Sequence, residues 1–119
     1  MISKELLSEV LGIPLQHIRY NDTTNLYEIF KEDLFNWSDG SYGRWSNLEV
    51  NIYELAHKCK EWSLEHDCEL LSCIRSKDRA ICDIYSDKYN CKFTHYADTE
   101  IEAIFKACQW ILDNKKEGN

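Results

Sequence analysis

Residues 51–112 read NIYELAHKCKEWSLEHDCELLSCIRSKDRAICDIYSDKYNCKFTHYADTEIEAIFKACQWIL. The stretch opens with helical spacing: Ile52, Leu55, Ala56, Cys59 and Trp62 recur every three or four residues and share one face. Tyr53, Lys58, Lys60, Glu61 and Glu65 cover the remainder, and Asn51 with Glu54 forms a capping-box-like pair. The helix is expected to fade near His66 and Asp67. Three short runs follow, 70–75, 80–85 and 91–96, separated by the polar turns 76–79 and 86–90. Connections so short require antiparallel hairpins, because a parallel crossover needs a dozen residues or more. The stretch closes on a second helix. Thr99 and Glu102 make its capping box, and Ile101, Ile104, Phe105, Cys108, Ile111 and Leu112 form a continuous apolar stripe. Lys115 and Lys116 follow where the helix dipole favours cations. Helix, three-stranded antiparallel meander and helix predict the α+β class, packed as an α/β sandwich.

Towards the N-terminus the pattern is less regular. Ser3 is placed to cap a short helix, with Glu5 in its first turn and Leu6, Leu7, Val10 and Leu11 on one face. Gly12 and Pro14 end it. Runs 15–20 and 26–30 are candidate strands of a hairpin around the turn-forming cluster 21–25. Residues 35–47 read as a loop, rich in Gly, Ser, Asn and Asp, yet they hold Trp37, Tyr42, Arg44 and Trp45. The chain is therefore expected to form one domain over 1–119: a variable N-terminal part, 1–50, and a helix–meander–helix core, 51–112.

The back half also resembles a family. Asn51-Ile52-Tyr53-Glu54-Leu55-Ala56 opens a helix that runs to Lys60-Glu61-Trp62, short strands follow, and Ala97-Asp98-Thr99 leads into Ala103-Ile104 and Ala107. This is similar to the small phage and prophage proteins grouped as the phage ABA-sandwich domain, marked by A-[DE]-T-x-x-x-A-[IL]-x-x-A at the start of the final helix. The resemblance covers about half of the chain. It implies a phage or prophage origin and an antiparallel sheet between helices, and it implies no activity, since a fold does not carry a function.

Composition narrows the functions further. With 119 residues, 44% hydrophobic, 13% aromatic, 4 Gly and 1 Pro, the chain can build a core without staples. Its N-terminus, MISKELLSEVLGI, lacks the apolar run of a signal peptide, and no stretch approaches the ~18 apolar residues of a membrane span. The expected location is the cytoplasm of a host cell. Six cysteines, Cys59, Cys68, Cys73, Cys82, Cys91 and Cys108, contain no C-x-x-C. In the cytosol they stay reduced, and Cys59 and Cys108 fall on the apolar stripes of the two helices as small core hydrophobes.

The net charge is −7, from 21 acidic and 14 basic residues. That sign argues against direct binding to nucleic acid and suits a partner with a basic surface. His17, His57, His66 and His95 form no zinc spacing, and neither a G-x-S-x-G nucleophile motif nor a phosphate loop occurs. No catalytic residue, metal or cofactor is expected. Two groups remain as binding candidates. Trp37, Tyr42, Arg44 and Trp45 combine large contact area with stacking and hydrogen bonding. Glu61, Glu65, Asp67 and Glu69 make a dense acidic run, of the kind that is usually a solvated face. The expected function is that of a small phage-encoded accessory protein, an acidic inhibitor or adaptor of a host defence or nucleic-acid-handling protein. The alternative is a nucleotide-binding, sponge-like protein using the aromatic loop with Arg44 or Arg75. Strand edges left open by the hairpins allow a homodimer.

Overall fold

The computed structural model describes residues 2–32, 43–86 and 91–118, with the backbone alone at 32, 91 and 116–118. Among the described residues there are three α-helices and two three-stranded antiparallel sheets, an α+β architecture. The first sheet has the order β1 (Ile18–Asn21), β2 (Leu26–Glu32), β3 (Gly43–Asn47). The second is the meander β4 (Glu69–Ser76), β5 (Arg79–Ser86), β6 (Cys91–Ala97). Helix α1 (Lys4–Leu11) precedes the first sheet, α2 (Ile52–Glu65) connects the two sheets, and α3 (Glu100–Gly118) follows the second. No described helix is long and apolar enough to cross a membrane.

The helix ends follow from their side chains. The Ser3 hydroxyl accepts the Leu6 N–H at 3.1 Å and donates to the Gln109 amide oxygen at 2.6 Å, which ties the start of α1 to α3. Gly12 closes α1 at φ 68°, a left-handed position that glycine adopts without a Cβ penalty. Asn51 Oδ1 accepts the N–H groups of Tyr53 and Glu54, and Thr99 Oγ1 accepts that of Glu102. At the far end of α2, Asp67 takes φ 62°, and the Cys68 N–H then reaches back to the Ser63 carbonyl at 2.9 Å. That return bond ends the helix in the manner of a Schellman turn and aims the chain into β4.

Helices α2 and α3 cover the inner face of the meander. Cross-strand partners Leu70 and Ile84 point inward, with Ala80 and Cys82 beside them, and all four are buried. From above, α3 supplies Ala103, Ile104, Ala107, Cys108, Ile111 and Leu112. Helix α1 touches β1 on one side and α2 and α3 on the other. Its Leu6 and Leu7, with Ile18, join the same core. Tyr27 and Ile29 of β2 pack against its edge. The described chain measures 54 × 36 × 20 Å, with a radius of gyration of 16.7 Å. A compact chain of this length has about 13–14 Å.

Four expectations need correction. The expected layout had one meander; the structure has a second three-stranded sheet before it, because β3 pairs with β2. Residues 43–47, read as loop, are that strand. Their turn-forming composition is overridden by Gly43, whose missing side chain leaves room for the Phe30 ring, and by the cross-strand pair of Phe30 with Trp45. Residues 15–17 form a 3-10 turn after Pro14, closed by the His17 N–H on the Pro14 carbonyl, so β1 begins only at Ile18. Ile52, expected in the core stripe of α2, is 52% exposed, since no element lies across the first turn of that helix. Expectations at 33–42 and 87–90 lie outside the described residues.

A Cβ at position 43 would overlap the Phe30 ring. Gly43→Ala is expected to cost about 1–3 kcal/mol of stability, read as a lower urea midpoint at unchanged slope. In a Phe30→Ala background the same substitution should cost clearly less. Equal costs in both backgrounds would remove the ring as the cause.

Candidate functional site

A large hollow lies where the first sheet meets the N-terminal turns of α2 and α3. It measures about 620 Å³. It is lined by Leu26 and Tyr27 of β2, Leu48 and Val50 of the linker into α2, Leu55 of α2 and Phe105 of α3. Ile52 and Tyr53 of α2 and Ile101 and Glu102 of α3 join the lining. Leu26, Ile52 and Tyr53 are 46%, 52% and 73% exposed, so the rim is apolar as well as the interior. Tyr53, Thr99 and Ile101 also border a second hollow of about 350 Å³, which continues between α2 and α3 to Ile74 at the end of β4. The two make one trough across the N-terminal ends of both helices.

The local sequence explains why the trough stays open. Each helix begins with its polar cap and does not bury a side chain until Leu55 on α2 and Ala103 on α3. The first turns therefore splay apolar residues outward instead of into the core. Tyr27 is fixed against this region by its hydroxyl, which donates to the Ile2 carbonyl at 2.8 Å. Burial pushes that phenol above its ordinary range.

The expected site residues fall in separate places. Arg44 is exposed on β3, opposite Lys31. Trp45 is half-buried on the outer face of the first sheet, its ring 5.4 Å from that of Phe30 and 4.2 Å from the Arg19 guanidinium. Arg19 in turn donates to Glu28 at 2.7 Å, and that hydrogen bond holds the Glu28 carboxyl below its ordinary range. Trp37 and Tyr42 lie outside the described residues. Glu61 lies 3.4 Å from His57 one turn earlier, and Glu65 ends α2. Asp67 is the left-handed residue of the α2 stop, its carbonyl accepting the Ser86 hydroxyl, and Glu69 begins β4. The acidic run thus follows the end of α2 into β4, while Arg44 and Trp45 belong to the first sheet.

Sequence reasoning missed the residues that shape the trough and the outer stack. Leu26 and Ile101 looked like ordinary strand and core positions, and Tyr53 like a surface residue. Two aromatics flanking a capping box, Ile52-Tyr53 after Asn51 and Tyr96 before Thr99, were the available hint only in part, because Tyr96 faces the other side of the meander over Arg79.

Of the described free cysteines, Cys73 on β4 is exposed and the other four, Cys59, Cys68, Cys82 and Cys108, are buried. The Cys108 thiol donates to the Cys59 carbonyl at 3.5 Å, and its contact with Cys59, together with burial, pushes it far up. Burial pushes the Cys82 thiol up to about 12. Thiols so protonated are poor nucleophiles. No group of three or more potential metal ligands exists among the described residues. Compared with family models, with curated proteins and with solved structures, the chain matches none.

His95 is the titratable group with the clearest consequence. It lies on β6 opposite Cys82, its Nε2 lacks a hydrogen-bond partner among the described residues, and burial with nearby Lys106 holds it below its ordinary 6.5. The folded state therefore resists a proton that the unfolded chain accepts. Stability should be level above the ordinary value and fall as pH drops below it, towards the depressed one. Melting temperatures between about pH 7.5 and 5 should show that decline, and His95→Gln should flatten it. An unchanged slope in the variant would assign the decline to other groups.

Proposed function

We propose that this chain works by binding a partner protein through the trough at the N-terminal ends of α2 and α3. The carrying observation is the exposed apolar rim of Leu26, Ile52 and Tyr53 around a 620 Å³ hollow in a chain of net charge −7. Contiguous exposed apolar surface with a polar surround marks a contact surface. The negative charge adds attraction to a basic partner and raises the rate of encounter. With the resemblance of residues 51–112 to phage ABA-sandwich proteins, the reading becomes a phage or prophage accessory protein. It acts in the host cytoplasm as an acidic inhibitor or adaptor of a host protein, and no step of catalysis is assigned to it.

A second reading rests on volume. Hollows of about 300–1,000 Å³ lined by apolar side chains also hold small molecules. This would be a ligand of the trough rather than of the aromatic stack, because Arg19 already covers one face of the Trp45 ring.

Photo-cross-linking from position 53 separates the readings. A benzophenone amino acid replaces Tyr53 in one variant and Leu71, exposed on the outer face of β4, in another. In bacterial lysate, position 53 is expected to give one discrete protein adduct that position 71 does not give. Its yield should fall as salt shortens the screening length from about 10 Å at 0.1 M to about 3 Å at 1 M. Equal adducts at both positions would overturn the trough as the contact surface. A salt-independent adduct at position 53 would keep the surface and overturn the electrostatic part.

A further inference from the structure

The open edge of the second sheet carries its own match. We infer that two copies of this chain pair antiparallel along β4, about a two-fold axis at Ser72, so that their meanders join into one six-stranded sheet. This pairing is independent of the trough.

Strand β4 is the longest of the described edge strands, with 8 residues against 4 in β1, 5 in β3 and 7 in β6. Among the described residues β5 is its one strand neighbour. A row of N–H and C=O groups along its other side is thus open to a further strand. Proteins blunt such edges with short strands, proline or charged residues. The middle of β4 has none of these devices. It reads Leu71-Ser72-Cys73-Ile74, with Leu71 51% and Ile74 69% exposed and Cys73 exposed as well. The charges, Glu69 and Arg75, stand towards its two ends. On the opposite edge strand, β6, the Lys106 ammonium already holds the Tyr96 carbonyl at 2.9 Å.

The strand is self-complementary. Antiparallel pairing about Ser72 sets Glu69 opposite Arg75 of the other copy, Leu70 opposite Ile74 and Leu71 opposite Cys73, and each pair recurs by symmetry. The faces agree. Leu70, Ser72 and Ile74 lie on the helix side: Leu70 is buried, Ser72 donates to Glu100 of α3 at 2.7 Å, and Ile74 lines the smaller hollow with Ala56 and Ile104. Glu69, Leu71 and Cys73 alternate onto the outer side. Ile74 pairs with Ala80 and Ser76 with Arg79, so Arg75 is the bulged residue against Arg79, whose guanidinium lies over the outer ring of Tyr96. Opposite charges therefore meet on the outer face and apolar residues on both faces, with the helices of both copies on the same side of the joined sheet.

Charge fixes the register and the strand. Among the described residues neither Glu69 nor Arg75 has an ion-pair partner in its own chain; their cross-strand neighbours are Tyr85 and Arg79. An axis at Leu71 would set Glu69 against Cys73 and carry Arg75 past the end of the strand. An axis at Cys73 would set Arg75 against Leu71 and carry Glu69 into the hairpin turn. Only the axis at Ser72 matches both charges within the strand. The other edges lack this match, since β1, β3 and β6 hold Arg19, Arg44 and Lys92 but no carboxylate. A copy of the same strand is therefore the occupant that β4 fits.

Sedimentation equilibrium of the purified chain tests the pair, and it should give twice the 14.1 kDa of one copy. Glu69→Arg and Arg75→Glu should each weaken the dimer by at least about tenfold, because each sets like charges opposite one another twice. The variant carrying both should recover it, since the pairs then re-form with their signs exchanged. Thermal melts confirm that each variant is folded. Disulfide trapping tests the register. Leu71→Cys sets a thiol opposite Cys73 of the other copy, and diamide takes up the two electrons and two protons as the S–S bond forms. A cross-linked dimer should appear, and it should vanish when Cys73→Ser is added. In the unsubstituted chain the two Cys73 residues stand on a diagonal about 7–8 Å apart, beyond the reach of a disulfide, and should not cross-link. A monomer at the highest soluble concentration would overturn the inference. So would a dimer that ignores both single charge reversals, a double reversal that fails to recover it, or a cross-link at position 71 that survives Cys73→Ser.

Discussion

The architecture depends on how closely α2 and α3 approach over the meander. At their crossing the side chains are small: Ala56 and Cys59 on α2, Ala103, Ala107 and Cys108 on α3, all buried. The Cys108 thiol reaches the Cys59 carbonyl itself, a contact between a side chain and a neighbouring helix backbone that larger residues would forbid. The sheet beneath is matched, with the small Cys82 and Ala80 following the larger Leu70–Ile84 pair along β5. Small residues at the crossing, with Ile104, Phe105, Ile111 and Leu112 around it, give an interdigitated layer. The four buried thiols are explained by this packing, since cysteine fills the volume of a small hydrophobe with a polarisable atom.

That close crossing has a consequence at the other end of the pair. Helices held together along their middle turns have their first turns free, and here both first turns face the same side. Across from them the first sheet contributes Leu26 and Tyr27 to the hollow, and α1 is tied to α3 by the Ser3–Gln109 hydrogen bond and the Lys115–Glu9 ion pair at 2.9 Å. Within the lining of the trough, Ile52 and Ile101 continue the helical stripes one turn beyond the buried layer.

This explains which parts were legible in the sequence. The caps at Ser3, Asn51 and Thr99, the stop at Gly12 and the three strands of the meander are local patterns, and local patterns identified them. Strand β3 was not legible, since its evidence is the absence of a side chain at Gly43 opposite Phe30, an aromatic thirteen positions earlier. The stack of Arg19 on Trp45 joins residues that periodicity cannot connect. Ile52 carried the right spacing for the core and missed it because burial needs a neighbour across from the stripe as well as the stripe. The acidic run was legible as a run, but Asp67 in it serves the helix stop through its backbone.

The separation of the acidic run from the trough bears on how charge and contact divide the work of binding. Glu61, Glu65 and Glu69 are exposed around the end of α2, opposite the first turn that carries Ile52 and Tyr53. Exposed carboxylates at that distance contribute little pairwise energy to a group docked in the trough, because solvent and salt screen them. They contribute instead to the long-range field of a chain with net charge −7, which acts on the encounter rate. Release is governed by what is desolvated at the trough itself, where the apolar rim meets its partner and Glu102 is the nearest fixed charge. An acidic surface and an apolar trough are then complementary devices: the first selects and steers a basic partner, and the second decides how long it stays.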